Sequence, residues 1–353
     1  MDTMVKHRHS LSKNQKWVIA STSSGFALEN MDVLFLSFAM SSMIADLHLS
    51  GGAAGFISTI TNLGMLVGGI ALIAENFHKE QIGKMTSVAA IGGQIGAILA
   101  ALIAAWIIPT AGWHMLFLVG IIPVVLTIFI RKHVHESEQF LEAKASEKNS
   151  LLSDVAKKMF STPRLAWQTL GLMIMMTVQI AGYFGLMNWL PTIVQKQLNL
   201  NVSNSSLWMI ATIIGMSIGM MTFGSIFDYF GPRRAFAIFL IGSALMVYTL
   251  SLAQNMATLL VIGAVVGFFS NGMFGGYGAV ISRLYPTEIR SSANNIIVNV
   301  GRAIGGFSSV VIGILMDRYN LGVVMGFLSA LYIISFIVMI TLPGLKDLSK
   351  VTK

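Results

Sequence analysis

Ten separate stretches of this chain run for about 20 residues with few or no charges, the length a helix needs to cross ~30 Å of hydrocarbon. They fall near residues 17–44, 53–74, 86–107, 113–131, 165–190, 204–227, 234–253, 257–282, 292–315 and 322–342. A fold of membrane-spanning helices in a lipid bilayer is therefore expected, an all-α membrane protein. The composition agrees: only 11% of residues are charged, where a soluble domain carries roughly a quarter, so a water-soluble enzyme is excluded. Thirty-four glycines suit closely packed spans, since small residues let helix backbones approach. With no cysteine there is no disulfide framework, thiolate metal site or cysteine nucleophile. The first span follows a polar, basic segment and has no small-residue cleavage site, so it is expected to be retained, with no signal peptide.

Basic residues orient the spans. Of 23 lysines and arginines, 20 fall on the side that holds both ends of the chain, leaving Lys196 and Arg318 on the other side and Arg302 within a span. By the positive-inside rule both termini are cytoplasmic, in a multi-pass protein of the cell membrane. The net charge of +8 is mostly this orientation signal. No basic cluster interleaved with aromatics sits on a soluble element, so nucleic acid is not expected as a partner. The expected organisation is a cytoplasmic tail (1–16), a half of four spans (17–131), a cytoplasmic linker (132–164), a half of six spans (165–342) and a second tail (343–353). Good helix formers from Ser137 to Lys148 predict a surface helix in the linker.

A repeat appears at an offset of 208 residues. Residues 71–83, ALIAENFHKEQIG, align with residues 279–291, AVISRLYPTEIRS, placing Glu80 on Glu288. Each copy ends a span, makes a short turn and opens a glycine-rich span, implying two parallel halves. In the second half this turn follows the fourth span; in the first it follows the second. Two spans are therefore expected to be absent between about Gly68 and Ala71, which makes 53–74 a hybrid of a second and a fourth helix.

Residues 224–234, GSIFDYFGPRR, match the G-x-x-x-D-x-x-G-x-R-R loop of the major facilitator superfamily. Residues 286–290, PTEIR, resemble its P-x-E-x-R turn. Within that superfamily, GFALENMDVLFLSF (25–38) and NWLPT (188–192) look like the metabolite:proton symporters, including aromatic acid carriers. The resemblance runs from Trp17 to Pro343. It lacks a counterpart to the family's first G-x-x-x-D-x-x-G-x-R-R loop, its third helix and most of its fourth. It implies a two-bundle fold, here with 4+6 spans in place of 6+6.

Glu29 and Asp32 lie roughly 18 and 22 Å into the first span, three residues apart and so on one face. An intramembrane carboxyl group normally faces a polar cavity or a partner, and one that takes up and releases a proton is what coupling needs. The family motif also carries an acid here, which singles out Asp32 as the coupling group with Glu29 assisting. Solvation near the membrane interface is the other reading. Arg302 lies roughly 16 Å into its span. Arginine does not neutralise itself by losing a proton, so it calls for an anion such as a carboxylate substrate, or for a structural partner such as Asn299. Gln94 occupies the equivalent place in the first half. Gln179, Tyr183 and Asn188, with Trp189, suit either a substrate pocket or interhelical hydrogen bonding.

Asp228 with Arg233 and Arg234, and Glu288 with Arg290, sit at cytoplasmic helix ends and read as a charge latch between conformations. No P-loop, H-E-x-x-H or G-x-S-x-G occurs, and the histidines show no metal-ligand spacing, so neither a cofactor nor a metal is expected. The leading expectation is proton-coupled symport of a small organic anion. A transport-incompetent shortened carrier and a sugar carrier of related fold are the alternatives.

Overall fold

The computed structural model describes residues 13–64, 79–121, 152–198, 201–253, 255–286 and 289–351. Among them there is no strand, and eight helices are long and apolar enough to span a membrane. The proposed junction between Gly68 and Ala71, residues 137–148 of the linker and Glu288 lie outside the described residues.

The helices are α1 (Lys13–Asp46), α2 (Gly51–Gly64), α3 (Lys79–Val119), α4 (Leu152–Met159), α5 (Pro163–Leu198), α6 (Val202–Phe230), α7 (Pro232–Thr249), α8 (Met256–Gly272), α9 (Phe274–Leu284), α10 (Arg290–Gly305), α11 (Ser308–Arg318), α12 (Leu321–Thr341) and α13 (Pro343–Val351). Two departures from the sequence reading stand out, while the boundary between the third and fourth expected spans, 107–113, is kept as a corner in α3, where Gly112 takes φ 78° and ψ 169°, a conformation glycine tolerates and other residues rarely adopt. α3 opens at Lys79, several residues before the expected start. The C-terminal tail is a helix, α13, with Leu345 buried.

Two spans are broken. α8 passes into α9 at Met273, and α10 into α11 through Gly306 and Phe307. The first break follows Asn271 and Gly272, the second a Gly-Gly pair, and each leaves its two segments part of one span.

Helix ends follow simple polar chemistry. Asn201, Asn255 and Asn320 cap α6, α8 and α12 by accepting from a backbone N–H of the first turn. All three lie on the face that also holds Asp46 and Asp317. On the other face, here called the basic face, Gly231 at φ 84° turns α6 into α7, with Pro232 opening the new helix. That turn explains the final glycine of the G-x-x-x-D-x-x-G-x-R-R motif. α4 lies at the basic face, with Asp154 in its first turn and Lys157 and Lys158 in its last, as the helix dipole favours. Val155 and Met159, four apart, bury its apolar side, and Thr169 of α5 donates to the Met159 carbonyl at 3.0 Å.

Glycines set the closest crossings within each half. Side chains at Gly92 and Gly96 of α3 would collide with Ser23 and Ala27 of α1; at Gly301 and Gly305 of α10, with Met176 and Thr177 of α5. The two halves meet along three pairs: α1 with α5, α2 with α11, and α3 with α6. Each pair takes one helix from either half, which gives the interface an approximate two-fold character.

Candidate functional site

Halfway along the α1–α5 pair, three of the expected site residues converge. Glu29 on α1 lies within electrostatic reach of Arg302 on α10 and of Asp32. Tyr183 on α5 lies within reach of both Glu29 and Arg302. All three side chains are half-buried. The Tyr183 hydroxyl donates to Asn30 Oδ1 across the halves at 3.4 Å, a long bond, while Asn30 Nδ2 donates to its own helix at Phe26. Asn30 was not anticipated, although a polar residue beside Glu29 at mid-span is itself a signal. Gly92, Gly93 and Gly96 turn one face of α3 onto Ser23, Asn30 and Ala27 of α1, and the half-buried Gln94, about 100° round the helix from Gly93, is not brought into this cluster. Asp32 is exposed and lies near Gly120, one turn from the cluster.

The other α5 amides are engaged differently. Gln179 is fully buried; its Nε2 donates to the Ser270 carbonyl at 2.8 Å and to Asn271 Oδ1 at 3.4 Å, inside the C-terminal half. Asn188, for which substrate contact and interhelical hydrogen bonding were both open, is a node of four helices. Its Oδ1 accepts from Ser37 of α1 at 3.3 Å, and its Nδ2 donates to Ser58 of α2 and to Ser309 of α11. At 2% exposure, with both amide atoms hydrogen-bonded to protein, it is engaged by the helices around it in this conformation. Trp189 Nε1 donates to the Ser309 carbonyl at 3.0 Å beside it.

The charge latch on the basic face also differs from expectation. Asp228 pairs with Arg283 at 3.9 Å, and the Arg283 guanidinium stands 5.1 Å over the Phe227 ring. Arg233 donates to the Ile340 carbonyl at 2.9 Å, while Arg234 is exposed and Arg290 half-buried. Asp228 and Arg233 are thus each engaged within the C-terminal half, by Arg283 and by the Ile340 carbonyl. No group of histidine and acidic residues suited to a metal occurs among the described residues.

The arrangement of two helical halves around a mid-depth polar cluster is that of a transporter. The sequence profile of the Major Facilitator Superfamily matches residues 53–221 and 193–351, and the chain belongs to that superfamily of transporters. A Haemophilus influenzae protein assigned to metabolite transport is 30% identical over 384 aligned positions, covering 91% of this chain and 94% of the relative. Those positions outnumber the 353 residues here, so the relative carries residues with no counterpart in this chain. The cis,cis-muconate transport protein of Acinetobacter baylyi is 24% identical over 88% of this chain and 91% of its own length. In fold, the chain resembles the E. coli xylose transporter in a partially occluded inward-open conformation, with TM-score 0.73 at 15% identity, covering 94% of this chain and 98% of that one.

Proposed function

We propose that this protein is a proton-coupled symporter of a small organic anion, working by alternating access between its two halves. The observation that carries the reading is the convergence of Glu29, Arg302 and Tyr183 from three helices of both halves. Arg302 offers a planar fork for a carboxylate, and Tyr183 an aromatic edge with a hydroxyl. Gln179 braces α5 behind this site. Asp32, exposed on the same helix face, takes the proton and passes it to Glu29. Neutralising the Glu29 carboxylate removes its hold on Arg302 and makes the guanidinium available to the anion. The muconate carrier among the relatives is named for an organic anion, which supports the same substrate class. The face bearing Asp228, Arg233, Arg234, Glu288 and Arg290 is cytoplasmic in this reading, and the Asp46 face external.

Counterflow in proteoliposomes, with a panel of labelled aromatic and aliphatic carboxylates, tests it. Exchange of at least one acid is expected; a folded protein that exchanges none overturns the reading. A second reading, a shortened carrier that no longer transports, is favoured by the alignment that outruns this chain's length. Sequencing the encoding DNA around Gly68 to Ala71 separates the two, because a precursor with two more spans would mark this chain as a deletion form.

A further inference from the structure

Asp317 ends α11 at the face opposite the basic helix ends. Its Oδ1 accepts from the backbone N–H of Gly51 at 3.0 Å and its Oδ2 from that of Gly52 at 3.2 Å. These are first-turn N–H groups of α2, which have no acceptor within their own helix. A carboxylate there also meets the positive end of the helix dipole. α2 belongs to one half and α11 to the other, so this cap is made only when the halves touch. Beneath it the backbones are in contact: a side chain at Gly51 would strike Gly313, and one at Gly55 would strike Ser309. Deeper still come the Asn188 node and the bond from Thr59 Oγ1 to the Gly306 carbonyl at 3.0 Å. From the surface to mid-depth, the same two helices are joined at every level.

We propose that Asp317 is the bolt of a gate between the halves: its carboxylate caps α2 across the interface, and the glycine crossing and the Asn188 node close behind it. The bolt contains no cation. Its acceptor is exposed and its donors are backbone groups, so it releases when α2 moves and needs no side-chain partner to be neutralised. The inference rests on the alternating-access reading, but its test uses no substrate, so the two fail separately. If thiol accessibility responds as below and no acid exchanges, the gate stands and symport falls.

The chain has no cysteine, so one introduced thiol is a unique reporter. Ala54 lies on α2 between the two glycines and is 3% exposed. In the Ala54→Cys protein, the alkylation rate with a membrane-impermeant maleimide is measured in right-side-out and in inverted vesicles. Slow reaction is expected from both sides. Adding Asp317→Ala should raise the rate roughly tenfold from one side only, and Asp317→Asn, which keeps one acceptor and loses the charge, roughly threefold. Gly55→Leu, a wedge in the crossing, should raise it from the same side. An unchanged rate with Asp317→Ala, where Gly55→Leu does respond, overturns the proposal, as does a rise from both sides alike. Should Asp317→Ala fail to elute as a single folded species, Asp317→Asn decides alone.

Discussion

α1 and α5 are the central helices of their halves, and they keep their polar groups in different company. α5 is surrounded by α6, α8, α10, α11 and α12 as well as α1, and 72% of its most apolar window is buried. α1 packs against α2, α3 and α5, and its figure is 56%. The enclosed helix carries neutral amides, Gln179 and Asn188, which other helices satisfy. The more open one carries the ionisable groups, Glu29 half-buried and Asp32 exposed. Membrane physics accounts for the division: an amide is satisfied by neighbouring helices, whereas a carboxyl group needs water or a countercharge. The open side of α1 is thus where chemistry with protons fits, and the closed side of α5 is where the halves are held.

Covering α1 should break this contrast most strongly. Insertion between Gly68 and Ala71 of two helices and their loop, patterned on Phe223 to Gly278, is expected to raise the melting temperature in detergent by about 5 °C or more and to strengthen transport. A correctly inserted pair that alters neither would show that no helices are missing there. Next in size, Asp32→Asn should abolish proton-driven accumulation, by roughly tenfold or more, while substrate exchange survives in part. Unchanged uphill uptake would remove Asp32 from coupling.

Asn188→Leu tests the other helix. It strips three hydroxyls of their shared amide, and at roughly 0.6 kcal/mol per interhelical bond the loss is about 2 kcal/mol, read as a lower melting temperature. Full stability would mean that the node is not glue. Arg302→Lys keeps the charge and loses the fork, so carboxylate affinity should fall about tenfold with expression intact; an equal fall in both would mark Arg302 as structural. The smallest effect belongs to Asp228→Asn. With 78% of its side chain exposed and Arg283 3.9 Å away, the pair contributes about 0.5 kcal/mol or less to thermal stability.

Most spans were legible because hydrocarbon thickness dictates their length, though the second and fourth run past the described residues, and a two-half arrangement was legible because the 71–83 and 279–291 segments repeat. The corner at Gly112 falls where the third and fourth expected spans part, because Pro109 and Gly112 interrupt a run that stays apolar on both sides. Glu29, Arg302 and Tyr183 were found one by one, as polar residues out of place in a span. Their grouping depends on how α1, α5 and α10 rotate against each other, which no local pattern records. Asn188 drew attention as a buried amide, and its particular partners could not be read because Ser37, Ser58 and Ser309 lie 151, 130 and 121 residues away in sequence. Asp317 went unnoticed at a span end. The signal was on its partner: α2 opens on Gly51-Gly52, two backbone donors with no side chain of their own to shield them.

Where α10 gives way to α11, the Gly306 carbonyl loses the regular helical donor four residues on. Its shorter bond comes from Thr59 of the other half, and Ser309 N stands 3.5 Å away. When the halves part, that oxygen faces hydrocarbon, a penalty of several kcal/mol, unless water replaces the hydroxyl. Opening this seam is therefore also a wetting event, in which a file of water must enter as α2 withdraws. Solutes too large to follow the water are excluded from the cleft and should favour the dry, shut form. Osmotic pressure then becomes a control on the opening of this seam.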